Sequence, residues 1–135
     1  MDCESTGGLG SPHFRQVRNE RTEVVLSRSA VGRAHIAAEW GGTGFNFTIT
    51  PDKPQRFWFE AYANSAEHFR DEVTKAGADV LIANHPNQDG AKMKLSALAK
   101  RRPGDPHPYV IGNDSVRRYL TMVGECAKAG LLRLK

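Results

Sequence analysis

Apolar positions first recur at short intervals after residue 21. Glu23-Val24-Val25-Leu26 and Ala34-His35-Ile36-Ala37-Ala38 are brief apolar runs separated by polar and Gly-containing sequence, which predicts two strands with a tight connection. Phe45-Asn46-Phe47-Thr48-Ile49-Thr50 alternates apolar and polar residues, the period of a strand with one buried face. The pattern breaks over 51–55. A helix is then expected from Asn64 or Ser65, either of which can cap it, with Glu67 in its first turn. Its stripe is Ala66, Phe69, Val73 and Ala76, and Gly77 ends it. Asp79-Val80-Leu81-Ile82-Ala83 is a continuous apolar run of strand length, the signature of a strand buried on both faces.

A second helix is expected with Asp89 as its N-cap and Ala91, Leu95, Leu98 and Ala99 on one side. Lys94, Lys100, Arg101 and Arg102 gather toward its C-terminal end, where the helix dipole favours cations. The proline-rich segment 103–108 reads as rigid and extended, because proline fixes its own φ and biases the residue before it away from helix. Tyr109-Val110-Ile111 suits either a short strand or an apolar clip. The last helix begins near Asn113 or Asp114. It carries Val116, Tyr119, Leu120, Val123, Cys126 and Ala127 as a broad stripe, with Gly130 as its stop. Strands that precede and alternate with helices place the chain in the α/β or α+β class.

A length of 135 residues bounds the chain to one domain. Residues 1–21 are rich in Gly, Ser and Arg with few large apolar groups, so they are expected to form a disordered leader ahead of a folded unit over 22–135. Nineteen basic against fifteen acidic residues give a net charge of +4, spread along the chain as expected of a basic surface that serves solubility. No apolar run approaches the length of a membrane span, and the N-terminus lacks the charged start and apolar stretch of a signal peptide. As written, the chain is expected to remain in the cytoplasm. Cys3 lies in the polar leader, and Cys126 reads as a small buried hydrophobe.

The chemistry-bearing position is His85, two residues beyond the apolar run that ends at Ala83. In layered α/β folds ligands gather at such strand ends, and neutral imidazole is a common zinc ligand. By itself, a lone histidine there is more often structural or solvent-facing. Asn84-His85-Pro86-Asn87-Gln88-Asp89-Gly90, followed by Arg101-Arg102-Pro103-Gly104-Asp105-Pro106-His107-Pro108-Tyr109-Val110-Ile111-Gly112, resembles the C-terminal region of the third metallo-β-lactamase subclass. Arg118-Tyr119-Leu120-Thr121-Met122-Val123-Gly124-Glu125-Cys126-Ala127 and Ala38-Glu39-Trp40-Gly41-Gly42-Thr43-Gly44-Phe45-Asn46-Phe47 extend the likeness, which covers roughly residues 34 to 134.

The resemblance implies the C-terminal half of an αβ/βα sandwich, a mixed sheet with two to three helices. It also implies a parent activity in which a zinc-bound hydroxide hydrolyses a β-lactam, lactone or related ester or amide of a small-molecule substrate. It makes His85 the counterpart of the family's last histidine ligand. The family's His-x-His-x-Asp-His cluster and its Gly-His-Thr-Pro-Gly loop have no counterpart here, and Gly41-Gly42-Thr43 stands where many members carry a bridging aspartate. A zinc centre needs at least three protein ligands, so the chain is expected to be an incomplete hydrolase joined to an unrelated leader, inactive alone and not holding zinc stably. Half a sandwich leaves a sheet face uncovered, which implies self-association or a separate N-terminal half.

His13, His35, His68 and His107 are each expected to be structural or exposed. Asp89 is four residues beyond His85, but helix capping explains it better than ligation. Trp40, Phe57, Trp58 and Phe59 are expected mostly between sheet and helix, with Phe57-Trp58-Phe59 partly lining the cleft of a complete protein. A basic binding module using Arg15, Arg18, Arg21, Lys92, Lys94, Lys100, Arg101 and Arg102 is the alternative, for nucleic acid or a protein partner. Those residues lack an interleaved aromatic motif or a reading helix. A metal-free enzyme finds no Ser-His-Asp or Cys-His spacing, although such triads can assemble in space.

Overall fold

Seven apolar side chains of one long helix organise the core. In the computed structural model, which describes residues 35–41, 44–45 and 47–134, helix α1 (Gln55–Ala76) buries Trp58, Phe59, Tyr62, Ala63, Ala66, Phe69 and Val73 along one face. The expected leader over 1–21, the strand at 23–26 and the residues Cys3, His13, Arg15, Arg18 and Arg21 lie outside the described residues. The start expected at Asn64 or Ser65 is corrected. Positions 58, 59, 62 and 63 continue the phase of 66, 69 and 73, so the two potential caps sit mid-helix and Pro54 becomes the N-cap residue. Gly77 ends the helix as expected. At φ 68° it lets its own N–H reach the Thr74 carbonyl at 3.1 Å, while the Ala78 N–H reaches Val73 at 3.0 Å.

The element order is β1 (Ala37–Trp40), α1, β2 (Val80–Ala83), α2 (Ala91–Ala99) and α3 (Asn113–Leu132). Strands β1 and β2 form a two-stranded parallel sheet in the register Ala37 to Val80 through Trp40 to Ala83. Val110 adds an antiparallel bridge to Val80, so the described residues form a mixed α/β fold with three helices. The segment 45–50 was expected to be a strand, but its described residues form none. Tyr62 Oη donates to the Gly44 carbonyl at 2.7 Å and Trp58 Nε1 to the Thr48 carbonyl at 3.1 Å, so this segment is pinned to α1 by side chains rather than by a ladder. The proline-rich segment is also corrected from extended to turned. The Arg102 N–H donates to Asp105 Oδ2 at 2.9 Å, and Gly104 takes φ 90°.

Ala38, Trp40 and Leu81 present one sheet face to Ala66, Phe69, Val73, Val116, Leu120 and Val123, with Trp40 stacked on Phe69 at 5.7 Å. The opposite face carries the Glu39–Ile82 pair. Ile82 is 39% exposed, which corrects the expectation of a strand buried on both sides. Helix α3 runs antiparallel to α1. At one end Asn113 Nδ2 donates to the Val73 and Ala78 carbonyls at 3.0 and 2.8 Å. Toward the other, a Cβ on Gly130 would collide with the Phe59 ring. Gly130 is therefore a close-approach residue inside the helix, which runs on to Leu132, and not its stop. Cys126 falls on the rim of the stripe and is exposed, not buried.

Helix α2 buries none of its residues. Among the described residues its expected stripe meets no covering element, and Met93 beside it is 77% exposed. Lys100 is its C-cap residue, and Arg101 and Arg102 lie beyond it, so no basic residue occupies its last turn. No helix among the described residues is long and apolar enough to cross a membrane.

Candidate functional site at the strand ends

Because β1 and β2 run parallel with Trp40 opposite Ala83, Gly41 and Asn84 leave the sheet at the same edge, the place where α/β folds put their ligands. Asn84 Nδ2 donates to the Gly41 carbonyl at 3.0 Å and ties the two exits together. His85 follows directly and is exposed. Its carbonyl accepts from the Gln88 N–H at 2.9 Å, which curls the loop back toward α2.

Asp89 closes that loop. It is only 9% exposed, and its two carboxylate oxygens accept from the Ala83 N–H at 3.1 Å and the Ala91 N–H at 2.8 Å. The expected capping role is refined by one position. Gly90, at φ 71°, is the N-cap residue, and Asp89 reaches past it to the first helical N–H. Lys94 leans back from α2, with Nζ 3.4 Å from the Leu81 carbonyl and 5.2 Å from the Tyr109 ring centre. Burial lowers the pKa of its ammonium, and the negative charge of Asp89 opposes that shift.

Tyr119 on α3 feels the same carboxylate. Burial, and then the charge of Asp89, push its phenol from 10.0 up to about 12. Its hydroxyl and the indole N–H of Trp40 are the buried side-chain polar groups that lack a hydrogen-bond partner among the described residues. The linkage follows. Above the unfolded value of 10.0 the unfolded chain loses the proton first, so the stability present below that pH falls as pH rises through about 12. In an alkaline titration of tyrosinate absorbance, one phenol should ionise near 12, and Tyr119→Phe should remove that step. The same substitution should leave stability at neutral pH unchanged or raise it by about 1 kcal/mol, since it deletes an unsatisfied buried hydroxyl. A marked loss of stability would show that the hydroxyl has a partner.

The remaining described histidines lie elsewhere. His35 precedes β1, at the other end of the sheet, and its Nδ1–H donates to Asp79 Oδ2 at 2.6 Å. Asp79 Oδ1 accepts from the Ile36 N–H, and the Asp79 carbonyl accepts from the Ile111 and Gly112 N–H groups, so this aspartate joins three segments. His68 is exposed on α1. His107 Nδ1 accepts from the Tyr109 N–H at 3.3 Å. Among the described residues no group of three or more His, Cys, Asp or Glu side chains is placed to hold a metal ion. With His85 alone at the strand ends and the nearby carboxylate engaged by backbone N–H groups, these residues do not fit a zinc centre by themselves.

Of the expected aromatic set, Trp40, Trp58 and Phe59 are buried and Phe57 is 37% exposed. Two clefts were not anticipated, because each is assembled from separate helices. One, of about 420 Å³, is lined by Arg70, Asp71 and Thr74 of α1 and by Asp114, Arg117 and Arg118 of α3. The other, of about 430 Å³, lies where the start of α1 meets the end of α3. His85 lines neither. Comparison of the chain with protein-family models, with curated proteins and with solved structures finds no match.

Proposed function

We propose that this chain corresponds to the C-terminal half of a metallo-β-lactamase-fold hydrolase of the third-subclass type, to which it brings one zinc ligand, His85. The observation that carries the reading is the placement of His85. It is exposed immediately after a parallel strand, on the edge where Asn84 ties that strand's exit to Gly41 of its neighbour. The open sheet face around Ile82 is where a second half would pack. Hydrolysis of a β-lactam, lactone or related ester or amide is then a property of the assembled fold. This chain does not hold zinc stably or turn over substrate without the other donors.

The alternative, a basic module for nucleic acid or a protein partner, has less support. Lys94 is drawn in against the Leu81 carbonyl and the Tyr109 ring, and Arg101 Nε is committed to the Asp105 carbonyl at 2.8 Å.

The test is zinc titration against a chromogenic indicator, with a chromogenic cephalosporin as substrate. The chain alone should show neither stoichiometric zinc nor turnover. Mixed with a separate N-terminal half that carries the His-x-His-x-Asp-His cluster, it should retain zinc, and His85→Ala should weaken that binding by more than about tenfold. Tight stoichiometric zinc on the chain alone, or a mixture indifferent to His85→Ala, would overturn the reading.

A further inference from the structure

The cleft between the start of α1 and the end of α3 has the size and lining of a small-molecule site, independently of the hydrolase reading. Its volume is about 430 Å³, and its walls are dominated by apolar groups, among them Phe45, Phe59 and Leu134. The polar lining is sparse: Gln55, Cys126 and Arg133, with no carboxylate side chain among the described residues. Gln55 opens α1, whose first turn contains no acidic residue and whose N-cap makes no side-chain hydrogen bond. The positive end of that helix dipole lies beside the negative end of the antiparallel α3, so the net positive charge at the cleft is that of Arg133. The absence of a Cβ at Gly130 lets the Phe59 ring lie against α3, where a methyl group would displace it.

We propose that this cleft binds a small amphipathic carboxylate, with its hydrocarbon part against Phe45, Phe59 and Leu134 and its carboxylate on Arg133. An apolar slot selects the chain of such a ligand. A guanidinium presents paired N–H donors that match the two carboxylate oxygens, so the head group is distinguished from an alcohol of the same length.

Cys126 provides the readout, because it lines the cleft and is exposed. In a Cys3→Ser background, alkylation of Cys126 by iodoacetamide is followed by mass spectrometry with and without octanoate. Octanoate should slow the reaction several-fold in a saturable way, and 1-octanol should protect markedly less. Arg133→Gln, at an exposed position past the end of α3, should reduce the octanoate effect to that of the alcohol without altering the helical circular dichroism. Absence of protection by saturating octanoate would overturn the site. Equal protection by acid and alcohol, or an octanoate effect unchanged in Arg133→Gln, would overturn the assignment of a carboxylate.

Discussion

Phe69→Ala is expected to lower the unfolding free energy by about 3–5 kcal/mol, the range for deleting a buried aromatic ring without replacing its volume. Phe69 is 2% exposed and stacks on Trp40 with ring centres 5.7 Å apart and an interplanar angle of 14°. With Ala66 and Val73 it packs α1 against the sheet, and its cluster also contains Val116, Leu120 and Val123 of α3. Small domains are stable by roughly 5–15 kcal/mol in total, so this loss is a large fraction of the whole and the variant should unfold at a clearly lower denaturant concentration. Urea denaturation followed by circular dichroism checks this. Phe69→Leu, which keeps much of the volume, should recover most of the stability. A Phe69→Ala midpoint equal to that of the parent would mean that the sheet and helices do not share one core.

Asp89→Ala should cost about 1–3 kcal/mol, since it removes two hydrogen bonds to a charged acceptor; the Ala83 N–H loses this partner, while the Ala91 N–H keeps the Pro86 carbonyl at 3.0 Å. The physical content is the joint between β2 and α2. One carboxylate oxygen holds the Ala83 N–H at the last residue of the strand, and the other holds the Ala91 N–H at the first residue of the helix. Because α2 buries no side chain of its own, this carboxylate and Lys94 are its principal polar anchors. Amide exchange at Ala83 and Ala91 should quicken together in the variant, and the 84–90 loop that presents His85 should lose its single conformation. Asp89→Asn should fall between, since its amide keeps one acceptor oxygen. A change in stability smaller than about 0.5 kcal/mol would remove the structural role assigned to this residue.

Local chemistry made a good part of this fold legible. Gly77 ends α1 because only a residue without Cβ takes φ 68° at little cost, and that reading needs no knowledge of the rest of the chain. The run at 79–83 reads as a strand, and Asp89 reads as the residue that starts α2, because apolar continuity and the reach of a short carboxylate are properties of neighbouring residues. The start of α1 was hidden for a related reason. Asn64 and Ser65 have cap chemistry, and only the phase of Trp58, Phe59, Tyr62 and Ala63 on the same face shows that the helix passes through them.

Burial was another matter. The stripe of α2 has the right spacing for a covered face, yet none of its residues is buried, and Cys126 shares the α3 stripe while facing solvent. Periodicity specifies which side chains point the same way, and not what stands opposite. The alternation at 45–50 predicts a strand, but a strand needs a ladder partner, and these residues spend their contacts on the α1 aromatics.

The amino-acid sequence by itself determined where His85 lies relative to β2 and the two helix stripes that form the core. Only the tertiary structure decided that the Gly41 and Asn84 exits meet at one edge, that both oxygens of Asp89 accept from backbone donors, and that Phe45 and Phe59 share a cleft with Arg133. The division has one physical cause. Helix phase and capping arise from residues within about one turn of each other, whereas sites and clefts form between residues whose approach is set by the packing of α1, α3 and the sheet.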